Sequence, residues 1–167
     1  MAVTVDSIKT LRAQTGAGIM DCKRALEQAE GDMQRAGEIL REQGIASAAK
    51  KAARATNQGL IESYVHSGGR IAAMVEVNCE TDFVARTSDF KQLAHDLAMQ
   101  VAAMSPLFID GDDVPDGEEA NAQEACLMLQ PFIKDPTMSV RDLVNESVGK
   151  LGENVRIRRF ARFALGE

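Results

Sequence analysis

The feature that most constrains this chain is a change of hydrophobic period in its middle third. Two short runs, "LIESYVH" (60–66) and "RIAAMVEVN" (70–78), are separated by "SGG", and in the second Val75 and Val77 alternate with Met74, Glu76 and Asn78. A period of two on either side of a glycine-containing turn predicts a β-hairpin. The stretch "IAAM" is too uniformly apolar to assign a face. From Ser88 the period becomes helical: Phe90, Leu93, Ala94, Leu97, Ala98 and Val101 fall at i, i+3, i+4, i+7, i+8 and i+11, and the helix should end near Ser105 and Pro106. A one-faced hairpin followed by a one-striped helix buries its apolar groups by packing the two together, which is an α+β arrangement.

The flanking segments extend this plan. Residues 1–44 read as three short helices. Val5, Ile8 and Leu11 form one stripe, and after "TGAG" Ile19, Cys22, Leu26 and Ala29 form a second. Met33, Ala36, Ile39 and Leu40 form a third, which Asp32 caps and Gly44 ends. Helices this short must bury their stripes against one another, so 1–44 is expected to be a three-helix module. Residues 45–57, with Lys50, Lys51 and Arg54 and no wide apolar face, suit an exposed basic helical connector, and 58–167 form the α+β core.

Within that core "PFIKDP" suggests a short edge strand. Ser139 and Asp142 form an S-x-x-D capping box for a helix with Val140, Leu143, Val144, Val148 and Leu151 on one side. The closing strand "NVRIRRFARFAL" places Val155, Ile157, Ala161, Phe163 and Leu165 on one face. Its other face carries Arg156, Arg158, Phe160 and Arg162. The sheet is expected to have three or more antiparallel strands packed on two helices.

Composition narrows the function. A formal net charge of −6 argues against general binding to nucleic-acid backbones. Cys22, Cys79 and Cys126 are widely spaced, which indicates neither a disulfide framework nor a zinc site. "MAVTVDSIKTLRAQ" contains no long apolar stretch and no segment approaches a membrane span, so the expectation is a soluble cytoplasmic protein. Asp110, Asp112 and Asp116 superficially suggest a calcium loop, but the EF-hand spacing and terminal Glu are not met. His66 and His95 lie in different elements, and no nucleophile, zinc or phosphate-loop motif occurs, so no enzyme, metal site or cofactor is expected. The "TGAG" turn is expected to be a tight inter-helix turn rather than an anion site.

One stretch resists this reading. "CETDFVAR" (79–86) ends an apparently buried strand with two acids, a threonine and Phe83. On composition alone the phenylalanine is expected to fold back into the core, the alternative being a side chain presented to another protein. Physics points to a binding protein without naming its partner.

Two segments, "LRAQTGAGIMDCKRAL" (11–26) and "EVNCETDFVAR" (76–86), resemble the signature segments of the bacterial elongation factor Ts family. Similarity continues through "AAKKAAR", "DLAMQVAAMSP" and "KLGENVRIRRFARF". The resemblance implies an N-terminal module similar to ubiquitin-associated domains and a guanine-nucleotide exchange factor for elongation factor Tu, acting without direct nucleotide binding, nucleic acid or membrane. It implies that Thr81, Asp82, Phe83 and Val84 enter the GTPase domain of Tu and disturb its magnesium site. It implies that Arg12, Ile19 and Met20 contact the same domain. Without it, Arg12 reads as a pairing or capping residue of its own module and Met20 as a core filler.

Longer family members carry a second core subdomain or a charged helical insertion where only "DGDDVPDGEEANAQEACLMLQ" stands here. Short members pair through their sheets, so a homodimer through 58–167 is expected near "VRIRRFARF". Ala161 in that strand rules out the cysteine link of some short-form dimers. Two other readings are an adaptor that binds through its three-helix module, and an RNA binder using the basic strand.

Overall fold

The computed structural model describes residues 3–115 and 121–167. Three helices open the chain: α1 (Val5–Thr15), α2 (Ile19–Gln28) and α3 (Met33–Lys51). Thr4 and Ser7 close a capping box at the start of α1, and Gly16, in the left-handed conformation at φ 68°, ends it. Asp32 caps α3 by accepting the Arg35 N–H at 2.9 Å. Leu11, Cys22, Ala25, Leu26, Ala29 and Ala36 form a small hydrophobic cluster, with Val3, Ile8, Met33, Ile39 and Leu40 around it.

Two sequence expectations fail within these helices. Val5 and Ile19 are 67% and 54% exposed, and Val3 and Ala25 take the inward positions instead. Gly44 does not end α3, which continues to Lys51. The glycine is buried where α3 crosses a later helix, and a Cβ on Gly149 of that helix would sit 3.3 Å from the Gly44 Cα. Gly44 thus lies inside a close helix crossing, not at a turn; the tight contact is set by Gly149, whereas a Cβ on Gly44 would meet the Asn145 carbonyl oxygen at an ordinary 3.5 Å. Residues 45–51 are therefore the end of α3, with Ala48 packed on the main core, and only 52–57 form a non-helical link.

That main core is built on a three-stranded antiparallel sheet in the order β1 (Gln58–Val65), β2 (Ile71–Cys79), β5 (Val155–Ala164). The alternation expected in β2 holds: Ala73, Val75, Val77 and Cys79 are buried, while Met74 faces out. Helix α5 (Ser88–Met104) lays Phe90, Leu93, Ala94, Leu97, Ala98 and Val101 on the inner face, and α7 (Val140–Leu151) adds Val140 and Val148, with Val144 buried on the same helix. The Ser139–Asp142 capping box is present. The single turn α4 (Asp82–Ala85) precedes α5, and between α5 and α7 lie the short helix α6 (Ala122–Ala125) and a hairpin of β3 (Pro131–Phe132) and β4 (Asp135–Ser139). The "PFIKDP" segment thus forms its own ribbon instead of edging the main sheet.

The closing strand corrects another expectation. Glu76 pairs with Arg159 and Val77 with Ile157, so Arg158 is an extra residue in β5. One inserted residue reverses the parity of everything after it. Val155 and Ile157 point inward as expected, but beyond the bulge Phe160 joins the core and Phe163 is 67% exposed. Arg162 also turns inward, its Nε donating to the Ala102 carbonyl at 3.1 Å.

Asp110 caps a short turn and pairs with Arg141 at 2.6 Å, which accounts for one carboxylate of the acidic loop, while Asp116 lies outside the described residues. Among the described residues no helix is long and apolar enough to cross a membrane.

Candidate partner-binding surface

The chain leaves β2 at Cys79, whose side chain is fully buried and whose thiol donates to the Thr81 carbonyl at 3.1 Å. Burial, reinforced by the nearby Glu153 carboxylate, pushes that thiol up to about 11. Such a thiol is unreactive, in keeping with a packing role. Thr81 then caps α4, its hydroxyl accepting the Val84 N–H at 3.4 Å.

On this single turn Val84 packs against the core and Ala85 is buried, so Phe83 points away and is 79% exposed. Asp82 pairs with Arg86 at 2.8 Å on the surface. The four residues singled out from the sequence are therefore together, and they divide between anchoring and presentation: Thr81 and Val84 hold the turn, while Asp82 and Phe83 lie outermost. The composition-based expectation for Phe83 is overturned, because the inward positions of the turn belong to Val84 and Ala85.

A second group lies on the small cluster. The "TGAG" segment is a tight turn in which the Thr15 hydroxyl donates to the Leu11 carbonyl at 2.8 Å. A Cβ at Gly18 would come within 2.9 Å of an Asp21 carboxylate oxygen, so the helix start already faces a negative group of its own. Cys22, Ala25 and Leu26 take the inward face of α2, leaving Met20 61% and Ile19 54% exposed. Arg12 is exposed, and among the described residues no ion pair engages it. The core-filler and pairing readings of Met20 and Arg12 do not hold. This group and the Phe83 turn stand on different hydrophobic clusters.

A third surface lies on the strand "VRIRRFARF", near which the sequence reading expected pairing while counting Phe163 as core, and a set of supporting residues was missed. On the outer face of the sheet Val65, Ala72 and Phe163 lie side by side across three strands, with Met74 beside Ala161 in the next row. Val65, Met74 and Phe163 are 62%, 48% and 67% exposed. The bulge hid this row, since without it Phe163 counts as core. The supporting residues are Arg54, Glu80, Glu153 and Asn154, whose bonds span long sequence separations; the only local hint was a polar "GEN" opening a strand. Glu80 is held below the usual carboxylate range, chiefly by the Asn154 N–H it accepts and also by Arg54.

Comparison with known proteins supplies the family. The family model for elongation factor TS matches residues 21–124. The chain is 48% identical to elongation factor Ts of Carboxydothermus hydrogenoformans, over 99% of this chain and 90% of that protein. It is also 48% identical to elongation factor Ts of Thermotoga maritima, over 100% and 98%, and 46% identical to that of Thermoanaerobacter sp. X514, over 99% and 96%. These alignments run over 195 positions, so the relatives contain residues with no counterpart among the 167 here. Matches of this extent define a translation elongation factor. More narrowly, the chain belongs to the elongation factor Ts family.

Proposed function

We propose that this chain is a guanine-nucleotide exchange factor that binds elongation factor Tu carrying GDP and promotes release of the nucleotide. The observation that carries the reading is Phe83, an apolar side chain 79% exposed on a capped turn that the core holds from behind. Covering it with a partner removes that apolar surface from water, which favours association.

The mechanism requires no bond chemistry from the factor. If factor and GDP each weaken the other's binding to Tu, the effect is a reciprocal coupling free energy. Magnesium in such a GTPase bridges phosphate and protein and is the largest local charge, so moving its ligands loosens the nucleotide. A ~1,000-fold acceleration corresponds to about 4 kcal/mol. Burying one phenylalanine yields about 1.5–3 kcal/mol. Phe83 therefore serves as the wedge, with Asp82 beside it, while Arg12, Ile19 and Met20 supply further hold on Tu from the N-terminal three-helix module.

The same accounting favours a homodimer through the outer sheet face. A second copy turned onto it covers Val65, Met74 and Phe163 at once, by packing alone. In this reading the factor acts in the cytoplasm, where translation runs. Adding the purified chain to Tu loaded with fluorescent GDP tests the proposal: accelerated release supports it, and release at the spontaneous rate at every concentration refutes it.

A further inference from the structure

A four-residue turn is too short to hold its own direction. Phe83 contributes nothing to that hold, since it is mostly in water. Val84 and Ala85 fix where α4 sits against the core, and its N-terminal end is held by the Cys79 thiol on the Thr81 carbonyl and, on the other side, by a distant carboxylate.

Glu153 lies in the link between α7 and β5, 73 residues from Glu80. One of its oxygens accepts the N–H groups of Glu80 at 3.1 Å and Thr81 at 3.0 Å, and the other accepts the Thr81 hydroxyl at 2.6 Å. The hydroxyl that caps α4 is thereby locked in its capping orientation. The next residue, Asn154, is 4% exposed and works in the same place. Its N–H donates to Glu80 at 2.7 Å, and its side-chain amide donates to the Ala52 and Arg54 carbonyls at 3.3 and 2.9 Å. Glu80 in turn pairs with Arg54 at 3.4 Å. Two consecutive residues thus tie the Phe83 turn to the tail of α3, the helix that begins in the N-terminal cluster.

We propose that Glu153 is a positioning residue for nucleotide exchange: by accepting three hydrogen bonds from Glu80 and Thr81 it fixes the angle at which Phe83 is presented. This rests on the reading of Phe83 as the inserted side chain. A carboxylate suits the role because it accepts at both oxygens and donates at neither. A glutamine keeps one acceptor oxygen and turns an NH2 toward the remaining donor, so it serves partially; an alanine serves not at all.

The test measures release of fluorescent GDP from Tu against factor concentration, using the full chain and its Phe83→Ala, Glu153→Gln, Glu153→Ala and Phe83→Ala/Glu153→Ala variants. A lost orientation lowers the limiting rate more than it raises the half-saturating concentration. The expected loss in limiting rate for Glu153→Ala is about tenfold or more, with Glu153→Gln between it and the wild type. In the double variant the two losses should not multiply, because Glu153 acts through Phe83.

A wild-type limiting rate in Glu153→Ala, beside a slow Phe83→Ala, overturns the proposal and spares the reading beneath it. Multiplying losses also overturn it. A wild-type rate in Phe83→Ala removes the underlying reading, and the proposal with it. Should Glu153→Ala not fold, amide hydrogen exchange of the unaltered chain decides. The Glu80 and Thr81 N–H groups must then exchange as slowly as those inside β2, and fast exchange overturns the proposal.

Discussion

Replacing Gln100 with leucine sets two effects of opposite sign against each other. Gln100 is fully buried on the inner side of α5, between Leu97 and Val101, where area alone favours an apolar side chain. Its amide, however, donates to Gln130 Oε1 at 3.2 Å and to the Pro131 carbonyl at 3.1 Å, and its oxygen accepts the Ile133 N–H at 2.9 Å. Leucine leaves at least the fully buried Gln130 oxygen and the Ile133 N–H without partners, at about 1–3 kcal/mol each. The methylenes of Gln100 are buried already, so the apolar gain is limited to about 1 kcal/mol, roughly one additional methylene group. The net expectation is a loss of about 1–5 kcal/mol, against a total of about 5–15 kcal/mol for an ordinary domain. Urea denaturation followed by circular dichroism reads this as a lower midpoint at unchanged slope. Below its transition the variant should still accelerate GDP release normally, because the network anchors the β3–β4 ribbon and not the Phe83 turn. Equal or greater stability in Gln100→Leu would refute the reasoning.

Three further outcomes follow from the same geometry. The Cys79 thiol ionises near 9.0 when unfolded and is pushed up to about 11 by burial. Its contribution to stability is therefore complete below pH 9 and lost as pH rises toward 11. Denaturation midpoints across that range should fall less in Cys79→Ala than in the unaltered chain, and identical falls would contradict the assignment. Phe163→Glu, in the exposed row of the sheet, should halve the light-scattering mass while the fold is kept. A monomeric mass for the unaltered chain would remove the proposed interface. Ile19→Ala combined with Met20→Ala should raise the half-saturating concentration for exchange while the limiting rate stays within about twofold. A collapse of the limiting rate alone would place these residues in a different role.

Much of the fold was legible because it rests on local periodicity. The hairpin, the six-residue stripe of α5 and the Ser139–Asp142 cap each follow from spacings within one element, where period and capping chemistry act directly. The errors arose where a distant partner decides. Gly44 looks like a helix end until a helix far along the chain is seen to cross α3 there, so closely that a Cβ on its Gly149 would sit 3.3 Å from the Gly44 Cα. Phe160 and Phe163 exchange faces because of one bulge residue, Arg158, which no alternation pattern within the strand reveals. At the candidate site Thr81, Asp82, Phe83 and Val84 were reached through resemblance rather than composition. Their support by Glu153 and Asn154 was invisible, since a hydrogen bond across 73 residues leaves no local signature.

The central claim is that Phe83 couples this chain to nucleotide release in Tu, and one comparison tests it most directly. Stopped-flow release of fluorescent GDP is measured at saturating concentrations of the unaltered chain and of Phe83→Ala. Phe83 is 79% exposed and outside the core, so the variant should melt with the unaltered chain. The account predicts that Phe83→Ala still binds Tu, because Arg12, Ile19 and Met20 are intact, but releases GDP at least about tenfold more slowly, the equivalent of losing roughly 1.4 kcal/mol or more of coupling. Release at the unaltered rate from a folded, Tu-bound Phe83→Ala would contradict it.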